Sequence, residues 1–521
     1  MKLERTKNAT KNIVFGMGMK FCQMVMPFLM RTAMIYFMGV EYLGLNSLFA
    51  SILQVLNMME LGVGSAMVFS MYRPVVEDDT PTICALMALY RRYYRIIGLI
   101  IGVVGLLLTP AVPHLISGEI PAELNIYVLY LLNLGATVLS YWLFAYKNCL
   151  FRAHQRMDVI SKITVLTTMI QYLLQLLLLF WFRDYYLYVI VTLGCQALNN
   201  LLNAAAADKQ YPDYKPEGKL NADAVRKINR RVVDLFTCKF GTIILKSSDP
   251  IVVSAFLGLS VLAVYQNYFF IVSSVIGVVE ILLQSITAGL GNSFLTETKE
   301  KNYNDLKKFT FLFLWLTGVC TCCFLGLYQP FMEIWVGQEL MLRYSAVVFF
   351  AVYFFTYTLN RLLNVYKDAA GLWHEDRFRP LVTALVNLGL NLWWVQIWGI
   401  YGVLLSTVAA MVFVGMPWVL HNVFTLFFEK KMLGSYVGQL LGHVALTAAA
   451  GALVALVCGR IRQTPWIALV VCTVVSIAVP NAVFYMALGR TKQFGKAFRF
   501  LNRIFKNRLS LKENKKGMSD L

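Results

Sequence analysis

The chain is a succession of apolar runs, each of about 20 residues or more and so long enough to cross a hydrocarbon layer as a helix. The runs fall near 13–39, 43–70, 94–112, 122–144, 160–181, 185–207, 232–257, 261–292, 309–329, 344–366, 380–396, 399–424, 438–458 and 465–488. This predicts an all-α polytopic membrane protein of about 14 transmembrane helices. Composition agrees: 58% of the 521 residues are apolar and 14% charged, with mean hydropathy +0.62, whereas a soluble domain keeps roughly a quarter of its residues charged.

The connectors give each helix a direction. Those assigned to the cytoplasm, with both termini, carry 38 of the 47 Lys and Arg residues. Those assigned outside carry four, Arg183, Arg343, Arg460 and Arg462, and the remaining five lie inside the runs. Basic residues accumulate on the cytoplasmic side of membrane proteins, so this distribution predicts that both termini are cytoplasmic. It also accounts for the net charge of +19 without nucleic acid. The N-terminus, with Lys2, Arg5, Lys7 and Lys11 before an apolar run, resembles a signal peptide. That run is too long for one and lacks a small-residue cleavage site, so it reads as an uncleaved first helix.

The ten cysteines form no framework. Cys22, Cys195, Cys238 and Cys472 lie in apolar runs, where a thiol is a small hydrophobe. Cys320-Thr321-Cys322-Cys323 has no second pair at ligand spacing, so no metal is expected. From Arg490 the tail spaces Phe494, Phe498, Leu501 and Phe505 at helical intervals, with Lys496, Arg499, Arg503 and Lys506 between them. That is a basic amphipathic helix lying on the inner leaflet. In the plainer reading it is a topology anchor; in the functional one its partners are anionic inner-leaflet lipids.

The first and seventh runs overlay at one offset of 219 positions. Lys20-Phe21 falls on Lys239-Phe240, Phe37 on Phe256, Gly39 on Gly258, Leu43 on Leu262, and Gly44-Leu45 on Ala263-Val264. The implied organisation is an N-lobe over 1–207, a basic connector over 208–231 and a C-lobe over 232–428. Two further helices over 429–489 and a basic tail over 490–521 follow. Two lobes running in the same direction are related by a pseudo-twofold along the membrane normal, which suits alternating access around a central site.

Ionisable side chains at membrane depth are costly and by default face protein or a watery cavity. Lys20 and Arg31 lie on the first helix with Pro27 between them, and eleven residues is three turns plus about 20°, so both project on one face. Lys239 and Lys246 share a face of the seventh helix, and Arg361 lies on the tenth. The acidic members are Glu60, Asp249 and Glu280. These are candidates for charge pairing, Lys246 with Asp249 and Glu60 with Lys20 or Arg31, or for coupling to an ion, H⁺ or Na⁺. Five basic against three acidic groups leaves a positive surplus. Such a site selects an anion, and phosphate is its natural complement. Gln171, Gln175, Gln196, Asn199, Asn200 and Asn203 can hydrogen-bond sugar hydroxyls or hold helices together.

Several stretches resemble the lipid-linked oligosaccharide flippases of bacterial polysaccharide and O-antigen export, within the multidrug/oligosaccharidyl-lipid/polysaccharide exporter superfamily. They are Tyr42-Leu43-Gly44-Leu45-Asn46-Ser47-Leu48-Phe49, Glu60-Leu61-Gly62, Tyr90-Arg91-Arg92-Tyr93-Tyr94-Arg95 and Ser247-Ser248-Asp249-Pro250-Ile251-Val252-Val253-Ser254. Tyr265-Gln266-Asn267-Tyr268, Gly289-Leu290-Gly291-Asn292 and Pro330-Phe331-Met332-Glu333-Ile334-Trp335-Val336-Gly337 complete the set, spread over both halves. The turn Leu257-Gly258-Leu259 departs from the pattern in carrying no charge.

The resemblance implies a core of two six-helix lobes with two added helices, in a bacterial cell membrane. It implies an undecaprenyl-pyrophosphate-linked oligosaccharide as cargo, no cofactor, and other polysaccharide-assembly membrane proteins as partners. The family's cationic cavity maps only onto Lys20, Arg31, Lys239, Lys246 and Arg361. A multidrug antiporter of the same superfamily is the alternative, but cationic drugs want an acidic cavity. A membrane-embedded polymerase or acyltransferase is the second. His114, His154, His374, His421 and His443 are scattered and form no catalytic pair, so the chain is not expected to be an enzyme.

Overall fold

The computed structural model describes residues 25–499 apart from 61, 119, 122, 462 and 463. Lys20, Cys22 and the tail beyond 499 lie outside the described residues. Among the described residues every regular element is a helix. In chain order these are α1 (Val25–Phe37), α2 (Val40–Leu56), α3 (Val63–Glu77), α4 (Thr80–Leu108), α5 (Ile126–Trp142), α6 (Asn148–Ala153), α7 (Met157–Trp181), α8 (Tyr185–Gln210) and α9 (Ala222–Leu257). There follow α10 (Leu259–Thr296), α11 (Lys299–Val336), α12 (Tyr344–Ala369), α13 (Arg379–Trp398), α14 (Ile400–Phe427), α15 (Lys430–Cys458), α16 (Pro465–Leu488) and a short α17 over 492–499.

Among the described residues eleven of these helices are individually long and apolar enough to cross a membrane. A twelfth is the pair Ile126–Trp142 and Ala145–Ala153, bent by 49°. Phe144 sits at that bend with φ of 57°, a left-handed conformation that a bulky residue adopts only where the chain must turn. The span expected over 43–70 is interrupted by a 3₁₀ turn at Asn57–Glu60, so α2 and α3 are separate helices. Inside α14 a π turn covers Met411–Gly415. Pro417 follows it, and its missing N–H leaves the carbonyl of the preceding turn without the usual donor.

The chain divides into two compact units that do not follow the order of the sequence. One comprises residues 1–270 and 377–406, the other 271–376 and 407–521. In the first unit α9 packs along α13, and α7 along α8. The α9–α13 approach depends on Gly241, because a Cβ there would fall 2.2 Å from the Pro380 carbonyl carbon. In the second unit α11 is the central post for α12, α15 and α16. Gly318 and Gly326 leave room on α11 for Phe484 and Ser476 of α16, and Trp315 donates from Nε1 to Asn481 Oδ1 at 2.8 Å. Cys322 is wholly buried in the apolar cluster with Ala450, Val454 and Phe484. No group of His, Cys, Asp or Glu that could hold a metal occurs among the described residues.

Candidate functional site

An arginine in an apolar helix must find partners inside the protein, since lipid offers none. Arg31 on α1 donates from Nη1 to Asn267 Oδ1 at 3.3 Å, and its guanidinium carbon lies 5.1 Å from the centre of the Phe270 ring. Tyr188 and Tyr172 stand near enough to feel its charge. All four partners are neutral. A single long hydrogen bond and an aromatic face leave most of the five N–H donors of a guanidinium available.

Lys239 and Lys246 on α9 separate in role. Lys239 Nζ donates to Ser65 Oγ on α3 at 3.1 Å. Lys246 is exposed and makes no ion pair with Asp249. The expected Lys246–Asp249 pairing therefore does not form, although i,i+3 spacing brings the two Cβ atoms close. Asp249 points instead into α13, is 5% exposed, and accepts from Asn391 Nδ2 at 2.6 Å.

Around that carboxylate the buried groups hydrogen-bond one another. Asn391 Nδ2 also reaches Asn387 Oδ1 at 3.4 Å, and Ser248 Oγ donates to the same Asn387 oxygen at 3.1 Å. Ser406 of α14 donates to Asn391 Oδ1 and to the Val403 carbonyl, and accepts from Asn387 Nδ2 at 3.4 Å. A buried carboxylate is tolerable only among such donors, because desolvation of an isolated one costs many kcal/mol. Asn387 and Asn391 stand one turn apart, so α13 presents both amides to α9.

Glu60 does not pair with Arg31. It ends the 3₁₀ turn between α2 and α3 and accepts from Tyr94 Oη at 2.5 Å, while Tyr90 Oη donates to Tyr94 Oη at 2.8 Å. In the second unit Arg361 Nε lies 3.1 Å from Glu280 Oε1, which also accepts from Tyr357 Oη at 3.4 Å. The charge of Arg361 is thus matched by its own carboxylate, whereas Arg31 and Lys246 have no ion pair among the described residues.

The amides of α7 and α8 bond within their own helices and to neighbouring ones. Gln175 is fully buried and donates from Nε2 to Thr192 Oγ1 at 2.7 Å and to the Tyr188 carbonyl at 3.3 Å. Gln171 lies 3.5 Å from Gln175, and Asn200 donates to the Ser140 carbonyl at 2.9 Å. Thr167 donates to Asn199 Oδ1 at 3.2 Å, and Asn203 donates to the Asn199 carbonyl at 2.8 Å. Gln196 alone is exposed without a hydrogen bond among the described residues.

Sequence reasoning missed the neutral partners: Asn267 and Phe270 at Arg31, Asn387, Asn391 and Ser406 at Asp249, and Tyr90 and Tyr94 at Glu60. The signal for the second group was present. Two asparagines four apart in an otherwise apolar helix are as conspicuous as a charge.

No family model matches the chain, and no curated protein does. Solved structures match its fold. A lipid II flippase, MurJ, in an inward closed conformation aligns with a TM-score of 0.68 at 14% identity, covering 92% of this chain and all of that one. An inward-facing multidrug resistance MATE family transporter of the MOP superfamily aligns with a TM-score of 0.60 at 13% identity, over 76% of this chain and 94% of that one. A MOP superfamily transporter from Pyrococcus furiosus, described as having a binding pocket of reverse polarity, aligns with a TM-score of 0.51 at 11% identity, over 82% and 97%. The chain therefore has the fold of that superfamily, and these neighbours are transporters and a flippase rather than enzymes.

Proposed function

We propose that the chain is a flippase that turns an undecaprenyl-pyrophosphate-linked oligosaccharide from the inner to the outer leaflet of a bacterial cell membrane. Its product would feed capsular, exo-polysaccharide or O-antigen-like assembly, alongside other membrane proteins of that assembly. The observation that carries the reading is Arg31, a cation on an apolar helix whose partners among the described residues are all neutral. Such a group is costly unless an anion completes it, and a pyrophosphate offers the bidentate acceptor that a guanidinium fits. Lys20, Lys239 and Lys246 add positive charge in this reading. Arg361, matched by Glu280, serves the second unit's packing more than the cargo. Gln196, exposed on α8, is the amide best suited to a sugar hydroxyl.

Movement follows from alternating access of two six-helix lobes, with both termini cytoplasmic and fourteen helices in all. Coupling is assigned to Asp249. A carboxylate buried between two helices changes its energy sharply when it takes up H⁺ or Na⁺. A cation antiporter of the same fold would need the reverse arrangement, a carboxylate open to its substrate and no spare guanidinium.

The test is export of the lipid-linked repeat unit in cells carrying Arg31→Ala at normal expression. The expected result is accumulation of cargo on the inner leaflet, partly relieved by Arg31→Lys. Full export by Arg31→Ala would overturn the reading. Uptake of cationic dyes that survives Arg31→Ala but is lost in Asp249→Asn would favour the antiporter.

A further inference from the structure

Two thiols of the second unit meet where α15 packs on α16. A connector over 459–464 turns the chain back, so the end of α15 lies beside the start of α16. Cys458, the last residue of α15, is partly buried against the apolar cluster of Cys322, Ala450, Val454 and Phe484. Cys472, 2% exposed, lies 14 positions on, in the first half of α16. The two thiols share a hydrogen bond. Gly326 of α11 makes room beside them: a Cβ there would fall 3.3 Å from Cys458 Sγ and 2.2 Å from Ser476 Oγ. Ser476 stands one turn beyond Cys472 on the same face of α16, so that face is turned to Cys458.

A buried thiol is ordinarily a small hydrophobe, and Cys322, wholly enclosed in the cluster, is of that kind. Cys458 and Cys472 differ in two respects. Each faces the other, and Cys458 is half-buried beside the exposed Gly459 and Arg460, so a dissolved reagent reaches it from the helix end. Thiols close enough to hydrogen-bond need only a small side-chain rotation to reach the roughly 2 Å of a disulfide bond. In the orientation proposed above, this end of α15 faces out of the cytoplasm, where disulfides persist.

We propose that Cys458 and Cys472 form a reversible disulfide site, oxidised by exchange with a small-molecule or protein disulfide. The Cys458 thiolate attacks one sulfur of the incoming disulfide, and a first thiolate leaves. The Cys472 thiolate then attacks the Cys458 sulfur of the mixed disulfide, and the second thiolate leaves. The two cysteine protons end on the two released thiols, so the pair gives up two electrons and the incoming disulfide takes them. Oxidation ties α15 to α16 at this end, and reduction releases them. The site is separate from the flippase reading and stands or falls without it.

The test uses the full chain, reduced, purified in mild detergent and exposed to oxidised glutathione, with the products mapped by peptide mass spectrometry. The wild-type protein is expected to yield a Cys458–Cys472 bridge that retains no glutathione. Cys472→Ser is expected to carry one glutathione on Cys458 instead, because the resolving thiol is gone. A wild-type protein that keeps glutathione on Cys458 without the bridge would overturn the site, as would an unreacted Cys458. A bridge from Cys458 to Cys323, whose Sγ lies 3.9 Å from the Ser476 carbonyl, would overturn it too. Should Cys472→Ser fail to fold, the wild type decides alone: the bridge should form in the folded protein and give way to mixed pairings when the chain is unfolded before oxidation. The same mixture from both would overturn the proposal. The thermal midpoint of the bridged protein should exceed that of the reduced one and fall back on reduction, and a midpoint unmoved by oxidation would remove the tie between the helices.

Discussion

Gly39 and Gly258, 219 residues apart, hold nearly the same turn, with φ 116°, ψ 169° and φ 89°, ψ 172°. Each ends one helix and opens the next. Gly118 and Gly337, at the same offset, repeat the relationship with φ of 88° and 80°. An L-residue with a side chain is strained in that region by about 1–2 kcal/mol. At Gly258 a Cβ would also meet the Ser117 carbonyl oxygen at 2.8 Å, whereas at Gly39 it would meet only a side-chain oxygen, of Glu41, at 3.3 Å. Gly258→Ala should therefore lower the thermal midpoint in detergent more than Gly39→Ala. Gly135→Ala, which enters open space, should leave it unchanged or raise it slightly. An unshifted midpoint for Gly258→Ala would remove the strain argument.

These glycines show what a sequence can and cannot declare. A glycine recurring at one offset is legible, because only the backbone conformation explains it, and the apolar runs are legible because length and polarity decide them. The break at Asn57–Glu60 was not, and the Glu60 carboxylate there takes its hydrogen bond from Tyr94, 34 residues away. The charged residues of the candidate site were legible one at a time as costs to be met. Who meets them was hidden: Arg31 finds Asn267, 236 positions away, and Asp249 finds Asn391, 142 away. Spacing along one helix suggested Lys246 for Asp249, but tertiary packing turned the carboxylate toward α13 and left the lysine outside.

The Arg361–Glu280 pair separates pairing from substrate binding. Removing either partner leaves the other half-buried and unmatched, and removing both restores balance, so the double variant Arg361→Ala/Glu280→Ala should be more stable than the sum of its singles predicts. A coupling of about 1 kcal/mol is expected for a pair this exposed. Thermal midpoints of the four proteins measure it. Export by the double variant should stay near the wild-type level, in contrast to Arg31→Ala. A double variant as inactive as Arg31→Ala would return Arg361 to the cargo site.

The Asp249 cluster calls for a graded pair of substitutions. Asp249→Asn keeps the shape and can still accept from Asn391, so its thermal midpoint should stay within a few degrees of wild type. Asp249→Ala takes from the buried Asn391 amide its shorter acceptor and leaves only the 3.4 Å bond to Asn387, a loss of about 1–3 kcal/mol. If Asp249 is the coupling group, both variants lose the dependence of transport on the proton or sodium gradient, whatever their stability. Gradient-dependent transport in Asp249→Asn would place coupling elsewhere.

His154 supplies a pH dependence outside the membrane spans. It is 3% exposed, lies stacked 4.5 Å from the Tyr211 ring, and its Nδ1 is 2.9 Å from the Leu150 carbonyl. Burial pushes its pKa below the ordinary histidine value, with the Leu150 carbonyl partly opposing the shift. The folded protein therefore holds the neutral ring, and the unfolded chain binds the extra proton. Stability from this group is complete above about pH 6.5, the unfolded value, and is lost as pH falls toward and through the depressed one. Tyr211 and Tyr214 lie in the connector between α8 and α9, so the weakening should appear there first. Limited proteolysis near 211–221 should quicken between about pH 7.5 and pH 5.5 in the wild-type protein. His154→Phe, which keeps the ring stack without the proton site, should show a flatter profile, and an equally steep one would assign the pH effect to other groups.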